Sequence, residues 1–175
     1  MQNLSIRLIL FLVLIMAGVS YGCWFTQLPQ GDNGNPDRAE LLLKGTYGLS
    51  TSAEPSATWI KDQATLDMLY QDLNARIGGK SVETPQIDFK KFGVLYLEMG
   101  QKPTGGYSID FEPSKIKTLN KRLEIHISWK FPAQGMAVTQ AVTSPFIFLK
   151  LDKTNITSIL VLDQDDISRF EFPVK

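Results

Sequence analysis

The stretch Phe92-Gly93-Val94-Leu95-Tyr96-Leu97-Glu98-Met99 is apolar at nearly every position. A strand with one wet face alternates in polarity, so an unbroken run of this length reads as a central strand covered on both faces. The chain after it stays β in character. Tyr107, Ile109 and Phe111 alternate with Ser108, Asp110 and Glu112. Ile116 to Leu119 and Arg122 to Trp129 flank Asn120-Lys121, a hairpin turn signal. On the second of these strands Leu123, Ile125, Ile127 and Trp129 share one face, while Glu124, His126, Ser128 and Lys130 share the other. Phe146 to Leu151, Ser158 to Leu162 and a short edge from Phe170 to Val174 complete the series.

Upstream lies the one clear helix, Asp62 to Ile77. Leu66, Leu69, Tyr70, Leu73 and Ile77 trace a single stripe at helical spacing. The Asp62 carboxylate is placed to cap the first turn, Gly78-Gly79 supplies a left-handed stop, and Trp59 and Ile60 are expected to staple the first turn. Thr51 to Thr58, with Pro55, reads as a loop, and Glu40 to Tyr47 as a first strand. One helix before six or seven short strands predicts an α+β domain whose mainly antiparallel sheet curls into a small sandwich or barrel.

Composition narrows the chemistry. The 175 residues are 43% hydrophobic and 21% charged, as in a packed domain, with 18 basic and 18 acidic residues. That balance lacks the clustered positive charge that nucleic-acid binding needs. One cysteine and one histidine exclude an intrachain disulfide and disfavour a zinc site and the enzyme classes built on those residues.

Met1 to Gly22 reads as an export signal: Arg7 precedes the uncharged run Leu8 to Val19, and Ser20-Tyr21-Gly22 suits cleavage. Cys23 at this junction, behind an apolar stretch, resembles a bacterial lipobox, in which the thiol takes a diacylglycerol. The alternatives are an ordinary signal-peptidase site beside an incidental cysteine, and an uncleaved anchor. Acylation would hold the protein in the cell envelope, on a membrane facing the periplasm or the cell surface. Residues 23–38, rich in Gly, Asn and Pro, read as a tether, and residues 39–175 as the domain.

No catalytic constellation emerges. His126, on the polar face of its strand, reads as solvated, without a nucleophile in a recognisable setting. Asp163-Gln164-Asp165-Asp166 lacks the glycine and the terminal acidic ligand of a calcium loop and reads as a solvated acidic turn. The expectation is therefore no metal, no cofactor and no enzyme.

Two stretches stand out. Lys102-Pro103-Thr104-Gly105-Gly106-Tyr107 joins a stiff proline to two permissive glycines and an aromatic ring. It reads either as a tight hairpin between the 92–99 and 107–111 strands or as a contact surface. Gly135 to Pro145 is small, flexible and weakly polar, and is expected beside the 103–107 turn at one end of the sheet.

These two stretches also resemble a known family. Gly100 to Ile109 (GQKPTGGYSI) followed by Val138 to Pro145 (VTQAVTSP) is similar to the PrcB C-terminal domain family, with the likeness spanning roughly Ala57 to Leu151. That resemblance implies a non-catalytic accessory lipoprotein, a protein partner that is an exported protease or another envelope protein, and no catalytic residue to carry over. Lys102, Pro103, Thr104, Gly105, Gly106, Tyr107, Gln140, Thr143 and Pro145 are then the expected partner-binding residues. A weaker likeness links Pro103 to Tyr107 to chagasin-type peptidase inhibitors. Lys102 and Gly105 depart from their loop, and inhibition of a cysteine peptidase through 102–107 is the alternative function.

Overall fold

The structure is a computed structural model that describes residues 32–33, 35–77 and 81–175. The export signal, Cys23, most of the 23–38 tether and the Gly78-Gly79 stop lie outside the described residues. Among the described residues, ten strands and one α-helix are arranged as two sheets with the helix outside one of them. The fold is α+β and sandwich-like; the sheets are not closed into a barrel.

The first sheet contains β2 (Ala39–Gly45), β8 (Phe146–Asp152), β4 (Phe92–Glu98) and β3 (Ser56–Ile60), side by side in that order and all antiparallel. The central pair explains the unbroken apolar runs. Leu95 and Leu97 of β4 and Ile147, Leu149 and Leu151 of β8 point into the space between the sheets. Their alternates, Val94, Tyr96, Phe146 and Phe148, face helix α1 (Gln63–Ile77), which seats Leu66, Tyr70 and Leu73 on them. Each fully buried side chain of this size contributes about 1.5–3 kcal/mol, so covering both faces of β4 and β8 makes them a large contributor to the stability of the domain.

The second sheet runs β1 (Asp32–Asn33), β6 (Lys117–Leu119), β7 (Arg122–Lys130), β9 (Ser158–Leu162) and β10 (Ser168–Pro173). The strand β5 (Ser108–Phe111) pairs with the far half of β7. All pairings are antiparallel except β7 with β9. Leu123, Ile125, Ile127 and Trp129 enter the core as their period demands. Asp32–Asn33, within the stretch read as tether, pairs with β6, and the Arg38 guanidinium donates to Thr118 Oγ1 and the Thr154 carbonyl, both at 2.6 Å.

Several local expectations hold and others are corrected. Asp62 caps α1: its Oδ1 accepts the Thr65 N–H at 2.8 Å and its Oδ2 the Thr65 hydroxyl at 3.0 Å. Asn120 and Lys121 have φ of 51° and 63°, the left-handed pair of a two-residue hairpin turn. A non-glycine residue pays to sit there, so Lys121→Gly is expected to raise stability by about 0.5–1 kcal/mol; urea denaturation checks it, and a lower midpoint would contradict the turn geometry.

The loop reading of Thr51 to Thr58 is overturned at its end, where Ser56–Ile60 forms an edge strand on β4. Strand alternation then sends Ile60 to the helix side and Trp59 to the inter-sheet side, so the two do not staple the helix together. The segment 99–107 is not a hairpin. β4 and β5 belong to different sheets, and the segment crosses between them. His126 is not solvated: it is only 6% exposed, with Nδ1 3.1 Å from the Lys115 carbonyl and Nε2 3.0 Å from Asp166 Oδ1. In the acidic turn Gln164, Asp165 and Asp166 are exposed as expected, but Asp163 is fully buried and bound to Arg169.

Candidate functional site

Strand direction brings three connections to one end of the sandwich. β2 and β4 finish there and β3, β5 and β8 begin there, so residues 46–55, 99–107 and 131–145 share one pole. The chain enters β2 at Ala39, beside Leu151, at the opposite pole. Seven strand residues separate the two, about 20 Å.

The backbone zips these loops together. Thr143 and Ser144 form the middle strip. Lys102 and Thr143 exchange N–H to O=C bonds of 2.7 and 2.9 Å on one side, and on the other the Ser144 N–H donates to the Thr46 carbonyl and the Gly48 N–H to the Ser144 carbonyl, each at 2.7 Å. The Gly105 N–H donates to the Thr139 carbonyl at 2.9 Å, and the Thr143 hydroxyl to the Thr104 carbonyl at 2.8 Å. The close approach requires the double glycine. A Cβ on Gly105 would run into Thr139 Oγ1, and Gly106, at φ +87°, would place one 2.9 Å from both Pro132 and Val138.

Beneath the strip lies a buried carboxylate. Glu98 is 3% exposed, and its Oε1 accepts the Ser50 N–H at 2.9 Å and faces the Ser144 hydroxyl at 3.4 Å. The Tyr96 hydroxyl accepts the Leu49 N–H at 3.1 Å. Burial pushes the Tyr96 phenol far above its ordinary value, and the Glu98 carboxyl pushes it further, so it stays protonated. The Arg76 guanidinium, from the last turn of α1, donates to the Gly48 carbonyl at 3.3 Å. A cleft of about 170 Å³ opens here between Tyr47, Gly48, Arg76, Gln101, Val142 and Ser144. Gly48 has no room for a side chain, because a Cβ would meet Glu98 Oε1.

Among the residues expected to contact a partner, Pro103, Gly106 and Gln140 are exposed and Lys102, Thr104 and Tyr107 are half-buried. Gly105, Thr143 and Pro145 are buried and hold the loops together. The structure adds residues that sequence reasoning missed. Tyr47, Phe131, Met136 and Val142 are all large, apolar and about half exposed or more, and all lie on these loops. The Phe131 ring meets Tyr107 edge-on, with centroids 5.9 Å apart. Glu98 did carry a signal, since it is the one charge in an otherwise apolar strand. Among the described residues no group of three potential metal ligands is present, and no helix is long and apolar enough to cross a membrane. The lone histidine sits on the outer face of the second sheet, engaged with Asp166 and the Lys115 carbonyl.

Comparison with the curated proteins and with the solved structures gave no match. Residues 94–152, from β4 through the loop pole to β8, match the model of the family described as PrcB C-terminal.

Proposed function

We propose that the protein is a non-catalytic, exported lipoprotein that docks a protein partner of a protease complex through its loop pole. The observation that carries this reading is the combination of rigidity and exposed apolar surface. Seven backbone hydrogen bonds join these loops to one another, yet the loops present Tyr47, Phe131, Met136 and Val142 to solvent at 49%, 63%, 56% and 60% exposure. Large apolar side chains exposed together at one pole mark a surface that another macromolecule covers, and a pre-ordered surface loses little entropy on binding. The family match supports a protease-complex subunit. The export signal and Cys23 support an acylated N-terminus in the membrane, which would leave the loop pole at the far end of the domain.

Capture from membranes tests the reading. Wild type is expected to retain a co-purifying protease, and the pair Phe131→Ser and Val142→Asp to lose it by about tenfold or more, since central apolar contacts carry most interface energy. Equal recovery would remove the loop pole from the claim. Mass spectrometry is expected to show acyl chains on Cys23 and a membrane fraction that disappears in Cys23→Ser; an unmodified cysteine would end the lipoprotein reading.

A further inference from the structure

We infer that the partner offers the loop pole a segment in which an aromatic or aliphatic side chain stands next to a carboxylate. This rests on the reading of that pole as the partner surface and specifies its chemistry. A pocket of about 140 Å³ lies between Pro55, Met99, Lys102, Trp129, Phe131 and Arg169. Its floor is apolar: Met99 is 2% exposed and Trp129 7%. Phe131, 63% exposed and braced by Tyr107, forms a wall. A dry apolar cavity of about 150 Å³ holds a benzene ring, so this one takes a single apolar side chain.

The charge at its mouth is one-sided. Arg169 is already neutralised, donating from Nε to Asp163 Oδ2 at 2.7 Å. Lys102 is not. Its ammonium spends one proton on the Ala53 carbonyl at 3.2 Å, and no carboxylate lies within ion-pair distance of it among the described residues. The stretches 99–109 and 129–145 contain two charged residues, Lys102 and Lys130, and no carboxylate at all. Glu54, exposed beside Pro55, is the acidic neighbour in sequence that works against the site. A partner carboxylate at Lys102 would form a charge-assisted hydrogen bond at the edge of an apolar contact, where such bonds are strongest.

The full chain in detergent, titrated with three labelled dodecapeptides, tests this by fluorescence anisotropy. Each peptide has a central Phe, flanked by two Asp, two Ser or two Lys. Wild type is expected to bind the Asp peptide about tenfold tighter than the Ser peptide, with the Lys peptide weakest. Lys102→Gln should erase the preference, Lys102→Arg keep it, and Lys102→Glu reverse it. Phe131→Ala should weaken all three, and Glu54→Gln should tighten the Asp peptide about two- to threefold. Melting curves that match wild type show that the variants fold. Equal binding of the three peptides, no binding of any up to about 1 mM, or an unchanged ranking in Lys102→Glu overturns the inference. The docking reading fails separately, if membrane capture of the protease is indifferent to Phe131→Ser and Val142→Asp.

Discussion

Glu98→Ala is expected to lower the melting temperature by roughly 5–15 °C and to abolish partner capture while leaving the sandwich folded. The argument begins with what the carboxylate satisfies. Its Oε1 accepts the Ser50 N–H at 2.9 Å and faces the Ser144 hydroxyl at 3.4 Å, and Glu98 itself is 3% exposed. Removing the acceptor strands donors in a closed space, at about 1–3 kcal/mol each. It also opens a void under Gly48, which packs directly on Oε1. For a chain of this length each kcal/mol moves the midpoint by about 2–4 °C. Glu98→Gln keeps an oxygen in place and should recover most of the loss, although its amide must find an acceptor. Circular dichroism melts check the stability, and amide exchange at Ser50 and Ser144 checks the locality. A Glu98→Ala midpoint within about 2 °C of wild type would show that the carboxylate does not hold the pole.

The elements legible in the sequence are those whose signal is local. The α1 stripe and its Asp62 cap are contained within sixteen residues. β4 reads as buried because both its faces are apolar. The Asn120-Lys121 turn needs nothing beyond its own dihedral angles. What sequence could not convey is which partner covers a face. His126 follows the polar period of β7, so it reads as wet. It is covered by Asp166, forty residues later, and by the 113–115 turn. The 99–107 segment reads as a hairpin because its flanking strands are neighbours in the chain. β4 instead pairs with β3 and β8, while β5 pairs with β7, and only the long-range pairing reveals a crossover. Ser56–Ile60 was hidden by its composition, since Ser, Ala and a preceding Pro argue against a strand that the β4 edge nevertheless imposes. At the candidate site the backbone motif was visible, and the apolar side chains around it were not. Tyr47, Phe131 and Val142 carry no local mark of exposure.

The second large effect is expected from Asp163→Asn, at about 2–4 kcal/mol near neutral pH. Asp163 is the hub of the 163–167 turn. Its Oδ1 accepts the N–H groups of Asp165 at 2.9 Å and Ile167 at 3.0 Å, and its Oδ2 accepts both Arg169 Nε at 2.7 Å and Arg169 Nη2 at 2.5 Å. The Arg169 side chain is 42% exposed, which puts the cost below the ~3–5 kcal/mol of breaking a fully buried pair. Burial alone would raise the carboxyl's pKa. The Ile167 N–H, the Arg169 guanidinium and the Asp165 N–H outweigh it and hold the group below its ordinary 3.8. A folded-state value below the unfolded one means that the unfolded chain binds the proton more readily. The stabilisation is therefore fully present above the unfolded pKa and is lost as pH falls through the folded one. The gap between wild type and Asp163→Asn should then stay constant above about pH 5 and narrow below pH 4. Melting curves of both proteins across that range measure it. Because Gln164 of the same turn accepts the Trp129 N–H at 3.0 Å, loosening the turn also disturbs the floor of the Lys102 pocket. A gap that does not change with pH would mean that the asparagine destabilises by shape alone, and the ion pair with Arg169 would lose its assigned role.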